Sequence, residues 1–428
     1  MGGPLEGIRV LEFTQIIAGP FCGVALADFG ADVVKVEPID GGPSRRRRSV
    51  LPGENKTFHA LNRGKRSVAI DLKHPDAESL MARLVPTVDV VVSNMGHGAA
   101  ERLGIDYDSL RRYREDLIWA ENTGFGSHGR NASRAGSDIV AQAYSGLMAA
   151  EVKCDELGGP ELVQCTGIVD YPAGVVLAMG VCAALLHRER TGEGQLVRSS
   201  LLSTGMMMMG REIARSPIFD AVTRDPMMER VNAVRERGGD YCEVVTERGG
   251  VYDLLGPQLR LYYGGYAVRD GAIIIGALSD RNRQQIRNLL GIDDDPTEDL
   301  EFDVLDPANR PAIDRTHRKI AAALRTRTAD EWIAELDRLG VPASKVYLPE
   351  ELADDPGVRE AGIMLDVEHE LTGPEQFVGA LVEMSATPTG SPRPSPLHGR
   401  HTSEVLGEAG LSAEEIEALH VHGAVATP

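Results

Sequence analysis

One carboxylate stands where acyl chemistry can use it. Asp170 lies between a strand-like run, Val163–Val169, and a long apolar segment with Pro172 near its start. An aspartate at such a junction acts as a helix N-cap, accepting backbone N–H bonds, or as a nucleophile. The helix dipole favours its ionised form, and an ionised carboxylate can attack an activated acyl carbon to form a mixed anhydride. Spacing leaves both roles open. Two basic stretches, Arg45-Arg46-Arg47-Arg48 and Asn62-Arg63-Gly64-Lys65-Arg66, are either solvated loops or phosphate contacts for a polyphosphorylated cofactor.

Other chemistries lack their residues. There is no P-loop, no G-x-S-x-G elbow and no H-E-x-x-H. Ala18-Gly19-Pro20 replaces the glycine fingerprint of a dinucleotide fold, so Glu37, placed like a ribose-binding acid, is weak support for NAD. The five cysteines are scattered and form no C-x-x-C pair. Neither a disulfide framework nor a metal site is expected, and a reducing, cytoplasmic setting fits.

The elements that must hold these groups alternate. Gly7–Phe13, Ala31–Glu37, Ser67–Leu72, Asp89–Ser93 and Leu117–Asn122 read as strands, with helices over Phe21–Phe29 and His74–Leu84. Such alternation implies an α/β fold with a doubly wound, mainly parallel, Rossmann-like sheet. A long apolar helix follows from Asp170, broken at Thr191-Gly192-Glu193-Gly194, and Gln195–Leu202 returns as a strand. Residues 215–260 read as a polar, irregular excursion. Gly264–Leu278 reads as a hairpin turning at Asp270-Gly271, with helical periodicity over Arg281–Leu290 and His317–Leu339. Thr387–Pro396 reads as extended linker and Ser412–Leu419 as a capped helix. The expected division is a large domain from 1–205, a smaller α+β domain at 225–335, and a segment at 345–428 returning to the large domain.

The 428 residues carry 45 bases against 64 acids, a formal charge of −19, which argues against a general nucleic-acid binder. The N-terminus shows no signal peptide. The longest uncharged run, Tyr171–Leu186, is shorter than the ~18–20 residues of a membrane span. No nucleic acid and no membrane are expected as partners.

The chain resembles the class III CoA-transferases of CaiB/BaiF type, the group of formyl-CoA transferase, carnitine CoA-transferase and the 2-methylacyl-CoA racemases. The resemblance rests on segments in order along nearly the whole length. They include Val10-Leu11-Glu12-Phe13-Thr14, Gly30-Ala31-Asp32-Val33-Val34-Lys35-Val36-Glu37, Asn62-Arg63-Gly64-Lys65-Arg66-Ser67 and Gly98-Ala99-Ala100-Glu101-Arg102-Leu103-Gly104. Further on come Gln142-Ala143-Tyr144-Ser145-Gly146, His187-Arg188-Glu189-Arg190-Thr191-Gly192-Glu193-Gly194 and Pro396-Leu397-His398-Gly399-Arg400. It implies that Asp170 is the acyl-carrying nucleophile. It also implies that CoA, bound as a substrate and not as a resident cofactor, is contacted by Gln15, Ile16, Ile17, Ala18, Lys73, Asn94 and Arg102. The implied assembly is an obligate homodimer of two interlocked, ring-like chains.

Departures sharpen the expectation. Asn94-Met95-Gly96-His97-Gly98 replaces the family's Asn-Phe-Arg-Pro-Gly, which removes one basic contact and leaves His97 a loop histidine. Ile17 replaces the glutamine of formyl-CoA transferase, against formyl or oxalyl specificity. The tetraglycine loop of that enzyme is absent; Gly249-Gly250 and Gly264-Gly265 do not replace it. Met206–Met209 read as core, interface or acyl-pocket lining. Gly136-Ser137-Asp138 stands where the racemases carry Gly-His-Asp, and serine is too weak a base to take an α-proton. The expected activity is transfer of CoA from an acyl-CoA to a carboxylic acid, with backbone N–H groups near the start of the long helix stabilising the oxyanions. The alternatives are a racemase on the same scaffold and a non-catalytic CoA-binding regulator.

Overall fold

The computed structural model describes residues 2–46, 49–163, 167–249, 261–299, 301–302 and 306–427. They fall into two compact units: Met1–Met148 with Leu162–Ala214 and Ala353–Pro428, and Ala149–Glu161 with Arg215–Leu352. Residues 149–161, read as part of the large domain, thus group with the second unit.

In the first unit the strands are β1 (Arg9–Phe13), β2 (Asp32–Glu37), β3 (Arg66–Ile70), β4 (Val90–Ser93), β5 (Ile118–Thr123) and β6 (Leu196–Ser200). They are short and rich in valine because parallel strands covered on both faces bury every side chain. The seven-stranded sheet runs β12-β3-β2-β1-β4-β5-β6, where β12 is Val425–Ala426. All neighbours are parallel except β12, which lies antiparallel to β3 with Val425 opposite Ile70. Alternate residues face opposite cores. Leu11, Val34, Val68, Val91 and Trp119 pack with Leu80, Leu84 and Leu406 on one face. Val10, Val33, Val92 and Ile118 face α1 (Ala18–Asp28) and the long helix Asp170–Thr191 on the other, meeting Cys22, Leu26, Leu177 and Val181. That 22-residue helix is long and apolar enough to cross a membrane by length and composition, beyond the uncharged run read from the sequence. Here one side of it serves as core.

The second unit holds the expected hairpin, β7 (Tyr263–Ala267) and β8 (Ala272–Gly276), closed by Val268 N–H donating to the Gly271 carbonyl at 2.9 Å. β9 (Ala343–Lys345) lies antiparallel to β8. The periodicity from His317 resolves into two helices, Arg310–Leu324 and Ala329–Leu339, because Thr328 opens a new capping box with Glu331. Residues 215–249, read as irregular, hold helices Pro217–Asp220, Arg224–Glu236 and Tyr241–Arg248; 250–260 lie outside the described residues. Cys154 and Cys242 are joined by a disulfide, against the expectation of none. Sequence spacing hid the pair, 88 residues apart, whose Cα atoms folding brings to 6.0 Å.

Two strands of the returning segment, β10 (Met364–His369) and β11 (Gly373–Val378), form an antiparallel pair in the first unit. Thr387–Pro396 is extended as expected, yet it is anchored: Gly390 N–H donates to the Asp28 carbonyl at 2.8 Å and the Arg393 carbonyl accepts from Gly64 at 2.9 Å. Ser412 caps Ala413–Val421 with Glu415.

Candidate active site

Asp170 is the first residue of the long helix and is 7% exposed. It does not cap the helix. Val169 occupies the N-cap position in a helical conformation, and neither residue contributes a capping side chain. The capping acceptor comes from Asp138, first residue of α2 (Asp138–Tyr144), whose Oδ1 accepts the N–H of Val169 at 2.8 Å and of Asp170 at 3.0 Å. Asp138 is held in turn by Gln142 Nε2, and Gln142 Oε1 accepts from Val163 N–H at 3.2 Å. Gly167–Val169 turn instead of completing a strand, and 164–166 lie outside the described residues.

The electrostatics reverse the expectation of a dipole-stabilised anion. Burial, then the charge of Asp138, pushes the Asp170 carboxyl up to about 6. Among the described residues its carboxylate accepts no hydrogen bond. Such a carboxylate is still mainly ionised at neutral pH and is poorly stabilised, which is the state a nucleophile needs.

The oxyanion expectation also changes. Val169 and Asp170 N–H go to Asp138, Tyr171 N–H to the Gly167 carbonyl at 3.2 Å and Ala173 N–H to Val169 at 3.0 Å, while Pro172 has none. The start of this helix, which we call α3, has no donor to spare. The start of α1 does: the N–H groups of Ile17, Ala18 and Gly19 have no partner among the described residues, and Ile17 provides no side-chain cap. The two helix starts are close. A Cβ on Gly174 of α3 would stand 2.6 Å from the Ala18 carbonyl, and one on Gly167 would stand 2.8 Å from Ile17 Cδ1 and 3.4 Å from Asp170 Cβ. Phe21 and Tyr171 close the apolar side, edge to face at 4.9 Å.

The loop before α1 leaves the carboxyl end of β1, next to β4, where the strand order reverses. Doubly wound sheets bind ligands in that crevice. Asn94, just after β4, clamps the loop: its Oδ1 accepts Gln15 N–H at 2.9 Å and its Nδ2 donates to the Gln15 carbonyl at 2.7 Å. Ile16 is exposed and held at a φ of 69°, strained for a β-branched residue. Lys73 and Arg102 are exposed, follow β3 and β4, and their charged groups make no ion pair among the described residues. Gln15, Ile16, Ile17, Ala18 and Asn94 are thus brought together; Lys73 and Arg102 stand at the same end of the sheet.

In the basic stretches Arg45, Arg63, Lys65 and Arg66 are buried in ion pairs and do not face a phosphate. Arg45 is 3% exposed and bonds Glu37, Glu54 and the Pro396 carbonyl. Arg63 forks onto Asp28 at 2.6 and 2.8 Å, Lys65 reaches Glu12 at 2.8 Å, and Arg66 pairs with Asp32, Glu404 and Glu408. Arg46 pairs with Asp40; Arg47 and Arg48 lie outside the described residues. A charge run in an acidic chain is satisfied by carboxylates of neighbouring segments, which reading along one element does not see. Glu37, held by Arg45 and Ser67 Oγ, is unavailable to a ribose. His97 is an exposed loop residue. Met206, Met207 and Met208, on helix Leu201–Met208, are 38–60% exposed and not core; Met209 is buried. Ser137 precedes α2 at its N-cap position and donates to no base among the described residues. The missed residues are Asp138 and Gln142, which lay inside segments already noted but for other reasons.

The pattern of CoA-transferase family III matches residues 5–402. The chain belongs to that family. It is an enzyme of the CoA-transferase class, similar to the succinate–glutarate CoA-transferase of Agrobacterium fabrum, with 31% identity and 95% of each chain covered. Formyl-CoA:oxalate CoA-transferase of Escherichia coli O157:H7 is 29% identical, covering 99% of this chain and 100% of that one. A crystal structure of a CAIB/BAIF family protein from Brucella suis superposes with a TM-score of 0.74 at 26% identity, covering 96% of this chain and 100% of that one. The family III match carries the recognition made from the segment order.

Proposed function

We propose that this CoA-transferase works through Asp170 as a covalent carrier. The supporting observation is a buried carboxylate that accepts no hydrogen bond among the described residues, beside N–H groups at the start of α1 that have no partner among them. Asp170 attacks the donor thioester carbonyl and expels CoA thiolate, leaving an aspartyl anhydride. The thiolate adds to the aspartyl carbonyl and expels the donor acid, leaving an aspartyl thioester. The acceptor carboxylate displaces the thiolate to give a second anhydride, and the thiolate then takes the acceptor's acyl group and frees Asp170. Ile17, Ala18 and Gly19 N–H groups replace the start of α3 as oxyanion donors.

CoA is bound by Gln15, Ile16, Ile17, Ala18 and Asn94, with Lys73 and Arg102 free to meet its phosphates. Ile17 and Phe21, which carry no polar group to bond a small anion beside the carbonyl, favour an aliphatic acyl group over formyl or oxalyl. Two chains interlock as a homodimer in the cytoplasm; the exposed methionines of Leu201–Met208, with Met179 and Leu186 of α3, support this as an apolar face for a second copy.

The test is incubation with acyl-CoA donors and aliphatic acids in heavy water. New thioesters without deuterium at the α-carbon support transfer. Enzyme-dependent α-deuteration without exchange of acids identifies a racemase, and CoA binding with neither reaction identifies a regulator.

A further inference from the structure

A second group of buried ionisable residues takes no part in this chemistry. Glu54 precedes helix Lys56–Asn62, which carries His59; His369 ends β10 and Glu375 lies in β11. All belong to the first unit. His59 Nδ1 is 2.6 Å from Glu375 Oε1, and its Nε2 is 2.8 Å from Glu54 Oε2. The His369 side chain is 1% exposed. Its Nδ1 is 2.8 Å from Thr372 Oγ1, which donates to Glu375 Oε1 at 2.6 Å, and Nδ1 accepts the backbone N–H groups of Leu371 and Thr372 at 3.4 and 3.3 Å. His369 Nε2 has no hydrogen-bond partner and lies 3.9 Å from the same Glu54 Oε2.

Each imidazole therefore has one nitrogen held by an outer group and the other turned to a shared carboxylate. Histidines that ligate metals are likewise held through their other nitrogen, which orients the ring. The three ligand atoms lie within 4.8 Å of one another. Bonds of ~2.0–2.1 Å to a tetrahedral zinc need spacings of about 3.3 Å, which small side-chain movements reach.

Charge supplies a second, independent argument. Arg45 forks onto Glu37 at 2.8 and 2.9 Å and touches Glu54 Oε1 at 3.3 Å. Among the described residues Glu37, Glu54 and Glu375 stand against Arg45 and His59, whose two carboxylate partners favour its protonated form; one negative charge remains, and two once an ion displaces that proton. Buried charge without a counter-charge is costly, and a divalent ion balances it.

We propose that Glu54, His59 and His369 bind one divalent ion of borderline softness, of the zinc type, with Glu375 and Thr372 orienting the imidazoles. Two imidazoles and a carboxylate suit such ions. The ion would staple the β10–β11 hairpin to helix Lys56–Asn62, a structural role. Glu375, with its side chain 15% exposed, is more open to solvent than Glu54, His59 or His369.

The experiment strips untagged full-length protein with chelator, then titrates Zn2+ by calorimetry and Co2+ by visible absorption. The expected result is one ion per chain, a ligand-field band with Co2+, and a Tm raised by Zn2+. His369→Gln abolishes stoichiometric uptake, and Thr372→Val, which keeps all three ligands, weakens it about 10–100-fold. Circular dichroism checks that each variant is folded; if His369→Gln is not, Thr372→Val carries the test. Absence of stoichiometric uptake by the wild-type chain, or affinity unchanged in the folded variants, overturns the proposal.

Discussion

Asp138 binds the backbone of the residue whose charge it opposes. Its Oδ1 accepts the Asp170 N–H at 3.0 Å, while its negative charge adds to the burial that raises the Asp170 carboxyl to about 6. One side chain thus anchors the start of α3 and keeps the anion there poorly stabilised.

The acid limb of the rate profile follows from this pair. Asp170 attacks only when ionised, so kcat/KM falls as pH drops through about 6. Asp138→Asn keeps an oxygen for the two N–H groups and removes the charge. The limb then moves to lower pH but stays above 3.8, because burial remains the larger cause. The sign for stability is opposite to that of a salt-bridged aspartate. The native chain holds a proton that the unfolded chain releases, so this contribution is full below pH 3.8 and lost as pH rises through about 6. Rate profiles and denaturant melts of both proteins check the two effects; an unmoved limb removes Asp138 from the account.

Asp170→Ala lowers turnover by more than about a hundredfold, because a covalent step cannot proceed without its nucleophile. CoA binding measured by calorimetry changes by no more than a few-fold. Turnover above a hundredth of wild type would show the carboxylate to be dispensable.

Asn94→Ala acts on binding. It removes both bonds that hold the Gln15 peptide at the strand-order reversal. At about 1–2 kcal/mol for the ordered loop, KM for the acyl-CoA rises roughly tenfold while kcat changes little. A fall in kcat alone would place Asn94 in the chemistry instead.

Gly174→Ala places a methyl 2.6 Å from the Ala18 carbonyl, where α1 and α3 touch through backbone. Separating them costs about 1–3 kcal/mol, and it moves the proposed oxyanion donors away from Asp170. Both Tm and kcat fall. Gly180→Ala on the same helix meets only the end of Val197, at 2.8 Å, and is milder. Equal effects from the two would separate the crossing from catalysis.

Sedimentation should show one species of twice the chain mass down to the lowest concentrations that can be measured, because interlocked chains part only on unfolding. A folded monomer would exclude that assembly.

The parallel sheet was legible because its signals are local. Val33, Val34 and Val36 declare a covered strand within six residues, Ser412 and Glu415 declare a helix start within four, and Asp270-Gly271 declares a turn. Asp170 was legible as a candidate from its junction, and the order of short segments identified the family. Residues 215–249 were misread because their helices are polar, with little apolar periodicity to show them.

What tertiary structure alone decided is which charges meet. Arg45 and Arg63 read as solvated loop residues or phosphate contacts until folding set them on Glu37 and Asp28; the N-cap role passed from Asp170 to Asp138, 32 residues earlier. His59 and His369 share Glu54 only because a C-terminal hairpin packs against an N-terminal helix. Hydrophobic periodicity repeats within one element and can be read along the chain. Coulombic and hydrogen-bond partners act over a few ångströms between separate segments of the chain, and only the folded chain brings them within range.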